Sequence, residues 1–364
     1  MSGSDPPSNS SWASYTHAQL HQVYDRIKLP NKYRYEPGQF SREVVRHRDG
    51  MGFLSALQRH MLASVPFENL DLHYSQHNHV SINAEDLFNK IVRSGNGRGG
   101  YCIENGVFLG TVLRSLGFEV TSVGARINLQ SHPTIDEDSP TLPSFGGWSH
   151  VVHLVTLRGE IYMVDVGFGA GGSTRPLLLE EGTPMLNLRP NETVRLRKDY
   201  AHPEPPSTVS QTRHLKEEHK VWFLERCLAG NDNEQLNTPW VCVFCFSDKL
   251  SFLPQDLEVM SWFTSTHRTS FFTYRVIASR YLLDWAAEEL MGHVLLYEDR
   301  VLRMENGEEV LVEELRSERQ RVEALQKWIG ISLSTAQIEG IKGTAQEAPD
   351  DDDDRMVNEQ NLVS

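Results

Sequence analysis

Apolar residues recur with helical spacing in the first third of the chain. Positions three or four apart lie on the same face of a helix, and three segments keep this period. They are residues 20–27 (with Leu20, Val23, Tyr24 and Ile27), residues 53–61 (with Phe53, Leu54, Leu57 and Met61) and residues 84–92. The pattern predicts a helical unit over residues 15–118.

After Gly117 the pattern changes to short runs rich in β-branched and aromatic residues, separated by Pro, Gly and Ser. Such runs are typical of β-strands. They cover residues 119–129, 150–157 and 161–166, and they predict a β unit over residues 119–219. Within it, residues 200–219 combine prolines with charges and are expected to form an exposed insertion or linker.

The remaining periodic sequence predicts a third unit of mixed structure over residues 220–340. Its predicted strands are residues 221–224, 240–247, 273–278, 293–298 and 300–305, and a charged helix follows at residues 317–329. Residues 1–14 and 341–364 are polar and lack this periodicity, so both ends are expected to be disordered extensions. A chain of 364 residues is long enough to bury more than one core.

The net charge of −14 argues against an extended nucleic-acid surface, because binding to phosphates relies on clustered Lys and Arg. Part of that charge lies in the C-terminal extension, where residues 343–364 carry seven acids against one arginine. The rest of the chain is therefore only moderately acidic. An anionic cofactor can still bind such a surface if backbone N–H groups and a few cations are placed locally.

Cysteine content and apolar runs indicate a cytoplasmic protein with no membrane span. The four cysteines are too few and too irregularly spaced for a disulfide framework, and the N-terminus lacks the basic and apolar regions of a signal peptide. The most apolar helical stretch, residues 107–118, falls far short of the roughly 20 residues that a membrane span requires. We expect a reducing, cytosolic setting.

One cysteine lies where a reactive thiol would be expected. Cys102 follows Gly99 and Gly100 and precedes an amphipathic helical segment that ends at Gly117. At a helix N-terminus, unpaired N–H groups and the helix dipole favour the thiolate, which is the nucleophilic form. The alternative interpretation is a buried structural cysteine, because free cysteines are commonly buried.

Downstream, two alternating runs predict a β-hairpin. Residues 148–157 and 160–165 flank Arg158-Gly159, which has the length of a tight two-residue turn. With this turn, paired residues have numbers that sum to 317, so Asp165 lies opposite Val152. A change of one residue in loop length would exchange the two faces of the strands.

This register selects one of two histidines on the first strand. His150 becomes the diagonal neighbour of Asp165 on the same face, whereas His153 points to the other face. An imidazole can take the thiol proton, and a carboxylate can orient the imidazole, so Cys102, His150 and Asp165 are the predicted catalytic residues. The alternative is a structural hydrogen-bonded pair of His and Asp.

Several strings around these residues resemble the arylamine N-acetyltransferases. They are residues 98–102 (RGGYC), the spacing from His150 to Asp165, residues 166–169 (VGFG) and residues 65–70 (VPFENL). A looser similarity extends to residues 222–224, 252–257 and 328–331. The resemblance covers most of the chain between about residues 15 and 335.

The resemblance implies an α+β fold with a helical N-terminal domain, a β-barrel middle domain and an α/β C-terminal lid domain. It implies a cysteine-protease-like Cys-His-Asp site and ping-pong transfer of an acyl group through a thioester on Cys102. The acyl-coenzyme A co-substrate would be acetyl-coenzyme A or malonyl-coenzyme A, and the acceptor an arylamine or arylhydrazine. No metal is implied, and a monomer or weak dimer is expected.

Supporting roles also follow from the resemblance. Arg98 and Glu68 would form a buried ion pair that holds the active-site loop. Phe67 and Phe168 would line the acceptor pocket, although ordinary core packing is the competing interpretation for both.

Two positions depart from the family pattern. The family often has Asn four residues after the cysteine, where this chain has Gly106 with Asn105 beside it. The later Ser/Thr-rich segment, residues 263–270, lacks the usual proline. Contacts to coenzyme A from Thr264, Ser265 and Arg268 remain candidates; Arg268 could pair with a phosphate or an acyl carboxylate, or could be an exposed structural arginine.

The remaining motifs give weaker evidence, and other functions are less well supported by the sequence. Cys242 and Cys245 have CxxC spacing, but on a strand they would face opposite sides, and no second CxxC completes a zinc site. The glycine-rich residues 167–172 lack a phosphate-loop ending and are expected to form a flexible loop beside the active site. The competing functions are a cysteine hydrolase or transglutaminase-like enzyme on the same triad, and a catalytically silent binding protein.

Overall fold

The computed structural model describes residues 12–35, 50–130, 143–188, 192–201, 217–228, 240–305 and 307–349. The α-helices are α1 (His17–Arg26), α2 (Gly50–Ser64), α3 (Ala84–Phe88), α4 (Cys102–Ser115), α5 (Pro254–Thr266), α6 (Glu318–Ala324) and α7 (Thr335–Ile341). Two π-helical turns, Asn89–Arg93 and Leu325–Ile329, directly continue α3 and α6.

The strands form two antiparallel sheets. They are β1 (Phe67–Glu68), β2 (Glu119–Ile127), β3 (His150–Leu157), β4 (Glu160–Val164), β5 (Leu177–Leu178), β6 (Met185–Leu186), β7 (Glu192–Asp199), β8 (Val221–Leu228), β9 (Val241–Phe246), β10 (Ile277–Asp284), β11 (Glu289–Tyr297), β12 (Arg300–Glu305) and β13 (Glu308–Glu314). The eight-stranded sheet has the order β5-β4-β3-β2-β9-β8-β7-β6, and the five-stranded sheet has the order β1-β10-β11-β12-β13.

The helical region buries its predicted apolar faces. Residues Phe53, Leu54 and Leu57 of α2 are fully buried, and the first twelve residues of α4, Cys102 to Leu113, are buried. Helix α4 contacts strands β2 and β3, and its apolar side chains join the largest core cluster. Because α4 is enclosed on all sides, its N-terminus is held in a fixed place within the protein.

The eight-stranded sheet is barrel-like. One of its faces encloses a separate apolar core to which seven of the eight strands contribute, and which includes Val152, Met163, Leu224 and Phe244. Strands β7 and β8 pair along their whole length, from Glu192 with Leu228 to Asp199 with Val221. The expected domain boundary at residue 219 therefore lies inside this sheet, which continues to Phe246.

The five-stranded sheet joins the first and last parts of the chain. Phe67 pairs with Ser279, and Glu68 pairs with Ala278. The short strand β1, which precedes the active-site loop in sequence, is thus an edge of the C-terminal sheet. This pairing could not be inferred from sequence periodicity, because a two-residue strand has none.

Several elements differ from their predicted bounds. The predicted strand at residues 273–278 is a 3₁₀ turn, Phe271–Thr273, followed by the strand β10. Helix α5 and strands β7 and β13 were not predicted. The predicted helix over residues 317–329 changes from α to π hydrogen bonding at Leu325.

The ordered chain extends beyond the predicted limits at both ends. The guanidinium of Arg114 lies 3.7 Å from the centroid of the Trp12 ring, and Ile341 is fully buried. Arg321 donates to the carbonyl of Gln346 at 2.6 Å. Most of the predicted extensions and of the linker, residues 1–11, 202–216 and 350–364, lie outside the described residues. None of the helices in the described ranges is long and apolar enough to span a membrane.

Candidate active site

The predicted nucleophile is the first residue of helix α4. Tyr101 is the N-cap residue, and the Glu104 side chain accepts a hydrogen bond from the Tyr101 N–H at 3.1 Å. The Cys102 thiol is almost fully buried, and its sulfur lies 3.2 Å from the carbonyl oxygen of Ser149. The predicted position of the thiol at a helix N-terminus is confirmed.

The glycines before the thiol allow close approach of the backbone. An added Cβ would lie 1.9 Å from the Pro66 carbonyl oxygen at Gly99 and 2.7 Å from a Glu104 carboxylate oxygen at Gly100. The Asn105 amide donates to the carbonyls of Pro66 and Gly100, at 3.1 Å and 2.8 Å. The loop before Cys102 therefore packs closely against Pro66, next to β1, and against Glu104. A larger residue at either glycine would disrupt this packing.

Gly106, the departure from the family pattern, has a packing role. A Cβ at this position would lie 2.4 Å from Cγ1 of Val151, which follows His150 on strand β3. Glycine therefore lets helix α4 approach that strand closely. The neighbouring Asn105 supplies the side-chain hydrogen bonds to the loop.

The hairpin has the predicted register. Leu157 pairs with Glu160 and His153 with Val164, as expected for pairs that sum to 317. Arg158 and Gly159 both have positive φ, 58° and 85°, which a type I′ turn requires. The tight turn aligns the two strands without a bulge.

As a result, His150 and Asp165 meet. The His150 Nε2 atom lies 2.7 Å from Oδ2 of Asp165, and both side chains are buried. The other carboxylate oxygen of Asp165 accepts the N–H of Gly167 at 2.7 Å. Gln58 donates to the Asp165 carbonyl at 2.9 Å, so helix α2 also fixes this residue. The predicted pairing of His150 with Asp165 is confirmed as a contact.

His153 is oriented to the opposite face, as predicted. Its Nδ1 lies 3.0 Å from the Ser122 hydroxyl and its Nε2 lies 2.6 Å from the Gly106 carbonyl oxygen. Burial, and then the charge of Arg114, lower the pKa of His153 to about 4. A neutral His153 thus links helix α4 to the sheet.

The second ring nitrogen of His150 makes no hydrogen bond to the Cys102 thiol in this structure. Its Nδ1 is buried and has no hydrogen-bond partner within the described part of the chain. The ring packs edge-on against Phe168 at 5.6 Å and against Phe244 at 5.2 Å. With Nε2 beside Asp165, Nδ1 is the ring nitrogen that faces away from the carboxylate.

The thiol is less acidic than its helix position predicts. Burial, followed by the charge of Asp165, raises the pKa of Cys102 well above its usual value. The N–H groups of Ile103 and Cys102 act in the opposite direction but do not reverse the shift. The helix N-terminus alone therefore does not lower the pKa of Cys102 below its usual value.

Arg98 and Glu68 form the predicted buried ion pair. The Nε and Nη2 atoms of Arg98 lie 2.8 Å and 3.2 Å from the two Glu68 oxygens. Arg98 also reaches Asp71 at 2.6 Å, and Lys90 lies 2.6 Å from Asp71 and 2.8 Å from Glu104. The roles of Lys90, Asp71 and Glu104 could not be predicted from the sequence, because their separations along the chain match no local motif.

Of the two phenylalanines expected to line the acceptor pocket, Phe168 belongs to the loop after Asp165 and Phe67 lies against Gly169 of that loop. Phe67 is buried and packs against Phe272, with ring centroids 6.0 Å apart. Phe168 is half-buried and lies directly against His150. Tyr281 of strand β10 holds this loop in place, because its hydroxyl donates to the Gly169 carbonyl at 2.8 Å.

The candidate coenzyme A residues lie at the end of α5 and in the turn after it. Ser265 donates to the Ser261 carbonyl at 2.8 Å, so a helix carbonyl already accepts its hydroxyl proton. Thr264 is buried, and its hydroxyl has no hydrogen-bond partner among the described residues. Arg268 is exposed. Ser261 was not predicted; its hydroxyl lies 2.6 Å from that of Tyr101 and connects α5 to the residue before Cys102.

The predicted placement of the CxxC cysteines on opposite sides of a strand is wrong. Leu224 pairs with Phe244 and Glu225 pairs with Cys242, so Val243 is an extra residue in a β-bulge. Because of the bulge, Cys242 and Cys245 lie on the same face of strand β9, where they pack together with Phe223. All four cysteines are free thiols.

The fold is that of the arylamine N-acetyltransferases. The Nocardia farcinica arylamine N-acetyltransferase matches with a TM-score of 0.67 at 21% identity, over 93% of this chain and 99% of that one. The Mycobacterium marinum enzyme in complex with CoA matches with a TM-score of 0.62 at 26% identity, over 88% of this chain and 98% of that one.

Sequence comparison shows the family. Residues 51–338 match a family model described as N-acetyltransferase. The N-malonyltransferase FDB2 of Gibberella moniliformis is 33% identical over 333 residues, which are 90% of this chain and 92% of that protein. The arylamine N-acetyltransferase of Mycolicibacterium smegmatis is 34% identical over 62% of this chain and 68% of its own length. The chain belongs to the arylamine N-acetyltransferase family, and it is an acyltransferase.

Proposed function

We propose that this enzyme transfers an acyl group from an acyl-coenzyme A to an arylamine or arylhydrazine through a thioester on Cys102. The observation that carries the proposal is the buried hydrogen bond between His150 and Asp165. His150 begins strand β3, which packs against the Cys102 helix. This combination supplies a nucleophile, a base and a group that orients the base.

In the first half-reaction, Nδ1 of His150 takes the Cys102 proton as the sulfur attacks the thioester carbonyl of the donor. The tetrahedral intermediate collapses, the C–S bond to coenzyme A breaks, and the imidazolium returns the proton to the departing coenzyme A thiol. Asp165 keeps the proton of His150 on Nε2 and stabilises the imidazolium. The product is an acyl-Cys102 thioester.

In the second half-reaction, the amine attacks the acyl-Cys102 carbonyl. His150 takes a proton from the amine nitrogen, and the C–S bond to Cys102 breaks with the return of that proton to sulfur. The raised pKa of Cys102 makes this proton return favourable. The result is an amide and a regenerated thiol, which is ping-pong transfer.

The acyl donor is proposed to be malonyl-coenzyme A or acetyl-coenzyme A. Similarity to a relative named N-malonyltransferase over 90% of this chain favours malonyl, whereas the relatives named arylamine N-acetyltransferase favour acetyl. A malonyl group carries a carboxylate that a cation would pair with. Arg268, exposed in the turn after α5, is the proposed cation for this carboxylate or for a coenzyme A phosphate.

An aromatic acceptor is supported by the residues around His150. Phe168 lies half-buried against the imidazole, and Phe67 lies under Gly169 of the same loop, where a Cβ would come within 3.2 Å of its ring. Aromatic rings offer edge and face contacts to an arylamine ring. We propose that both phenylalanines contact the acceptor.

Intact-protein mass spectrometry tests the proposal. The protein is incubated separately with acetyl-coenzyme A and malonyl-coenzyme A, with Cys102→Ala as the control. An adduct of acetyl or malonyl mass that is absent from Cys102→Ala and disappears on addition of an arylamine is the expected result, and its mass identifies the donor. If neither donor leaves an adduct, the thioester mechanism is wrong, and peptide hydrolysis or a silent scaffold is favoured.

A further inference from the structure

An arginine that the proposed mechanism does not use lies on the core face of the eight-stranded sheet. Arg226 of β8 pairs with Val194 of β7. Val194 belongs to the apolar core of that sheet, and so does Leu224, two residues before Arg226. Alternate residues of a strand point to the same face, so Arg226 points inward. Its side chain is still 26% exposed, so it lies at an end of the sheet that solvent reaches.

This end of the sheet also carries the proposed base. The ring of Phe244 on β9 contacts the His150 ring, with centroids 5.2 Å apart, and Phe244 pairs with Leu224 of β8. Arg226 is the next inward residue of β8, and consecutive inward residues of a strand are about 7 Å apart. Arg226 is therefore one inward position away from the aromatic layer that contacts His150.

The glycine-rich loop of residues 167–172 connects the nucleophile to this arginine. A Cβ at Gly167 would lie 3.1 Å from the Cα atom of Cys102, and a Cβ at Gly171 would lie 3.0 Å from Nη1 of Arg226. One short loop thus contacts the nucleophile near its start and the guanidinium near its end.

The Arg226 guanidinium retains donors for an incoming anion. Within the described ranges its one ion-pair partner is Glu192 of β7, and the distance from Nε to Oε1 of Glu192 is long, 3.8 Å. The Nη1 atom lies on the side of Gly171. A guanidinium has five N–H donors in a planar fork, so a partner on its Nε side leaves the other donors for a ligand.

A carboxylate is the ligand that this group fits. The planar fork matches the two oxygens of a carboxylate, and pairing at a largely covered arginine is screened less by salt than pairing at an exposed one. Of the two proposed donors, malonyl-coenzyme A carries a carboxylate beyond the thioester carbonyl, whereas acetyl-coenzyme A ends in a methyl group. Recognition by Arg226 would therefore distinguish the two acyl groups.

We propose that Arg226 is a specificity-determining residue that binds the malonyl carboxylate and selects malonyl-coenzyme A over acetyl-coenzyme A. This inference rests on the proposed acyl transfer through Cys102. The carboxylate takes no part in bond making: sulfur bonds to the thioester carbon, and the C–S bond to coenzyme A breaks, as in the first half-reaction. Arg268, exposed in the turn after α5, is then the cation for a coenzyme A phosphate.

The test measures the single-turnover rate of Cys102 acylation by each donor, with intact-protein mass spectrometry as the readout. The quantity compared between variants is the ratio of the malonyl rate to the acetyl rate. Arg226→Gln is expected to lower this ratio by about 10- to 100-fold, the range for loss of a hydrogen bond to a charged group. Arg226→Lys is expected to lower it less, because lysine keeps the charge but not the planar fork.

Two other arginines serve as controls. Arg195 of β7 has the same exposed fraction, 26%, but it lies on the outer face, where it pairs with Glu225 at 2.8 Å. Arg195→Gln is expected to keep the wild-type ratio. Arg268→Gln is expected to slow both donors equally, since both carry the same coenzyme A phosphates. Thermal unfolding checks that each variant folds, and if Arg226→Gln does not, Arg226→Lys still gives the comparison.

Three results would overturn the inference. The first is a wild-type ratio in Arg226→Gln, and the second is equal slowing of both donors, which would show a structural pair with Glu192. The third is a wild-type ratio together with slower discharge of the acyl enzyme by 4-aminobenzoate but not by aniline, which would assign the guanidinium to the acceptor.

Failure of the proposed function gives a different result. Wild-type protein that forms no adduct with either donor would contradict acyl transfer through Cys102 itself. Wild-type protein that forms an acetyl adduct and no malonyl adduct would support acyl transfer and contradict only the role of Arg226.

Discussion

The Nε2 atom of His150 lies 2.7 Å from Oδ2 of Asp165 across a hairpin, at positions fifteen residues apart in the chain. The contact depends on a two-residue turn that sets the strand register. On the same strand, His153 binds the Gly106 carbonyl on the opposite face. The register thus decides which histidine lies beside Asp165.

Asp165→Asn should abolish most acyl transfer while leaving the fold intact. The amide no longer stabilises the imidazolium, and the same change in a serine-protease triad lowers kcat by about 10⁴-fold. Single-turnover acylation of Cys102, followed by mass spectrometry, measures the effect, with circular dichroism to check folding. Activity within tenfold of wild type would exclude Asp165 from the mechanism.

Turn substitutions should alter stability according to backbone conformation. Arg158→Asn should stabilise the protein by about 0.5 kcal/mol, because Asn adopts positive φ at lower cost than Arg. Gly159→Ala should destabilise it by about 1 kcal/mol, since its φ is 85°. Urea unfolding of both variants gives the two free energies. If the two substitutions have the same sign, the turn assignment is contradicted.

Gly106→Ala should destabilise the protein by about 1–3 kcal/mol, because the new methyl group overlaps Val151 on the strand that carries His150. Val151→Ala should relieve the overlap, so the double variant should lose less than the sum of the two single losses. Gly147→Ala is the matched control, since a Cβ there meets no atom within 4 Å. Additive losses at Gly106 and Val151 would show that the two sites do not clash.

Stability should depend on pH through Glu104. Its pKa rises from 4.5 to about 7 on folding, so the folded state holds the proton more tightly. Its contribution to stability is therefore complete below about pH 4.5 and is lost as the pH rises to about 7. Glu104→Gln, measured by thermal unfolding, should gain stability relative to wild type between pH 5 and pH 8.

The exposed Glu85→Gln serves as the control for this pH series, because it removes a surface carboxylate in place of the buried one. Asp71 and Glu68 have the opposite sign, because Lys90 and Arg98 lower their pKa values despite burial. Their contributions to stability are lost as the pH falls toward their lowered pKa values. A Glu104→Gln difference that does not change with pH would contradict the raised pKa.

The sequence by itself determined the local features of the site. The double glycine and the apolar period placed Cys102 at the start of a helix, and the Arg158-Gly159 turn set the register that joins His150 to Asp165. These are short-range consequences of backbone geometry, so a pattern of a few residues carries them. The family resemblance added the pairing of Arg98 with Glu68.

Only the tertiary structure decided which distant groups meet. Lys90, Asp71 and Glu104 share one buried cluster because α4 packs beside the turn after α3, and no spacing in the chain encodes that approach. The bulge at Val243 reversed the expected placement of Cys242 and Cys245. Likewise, burial outweighs the helix N-terminus in its effect on the pKa of Cys102. Burial depends on the whole fold, and local sequence does not specify it.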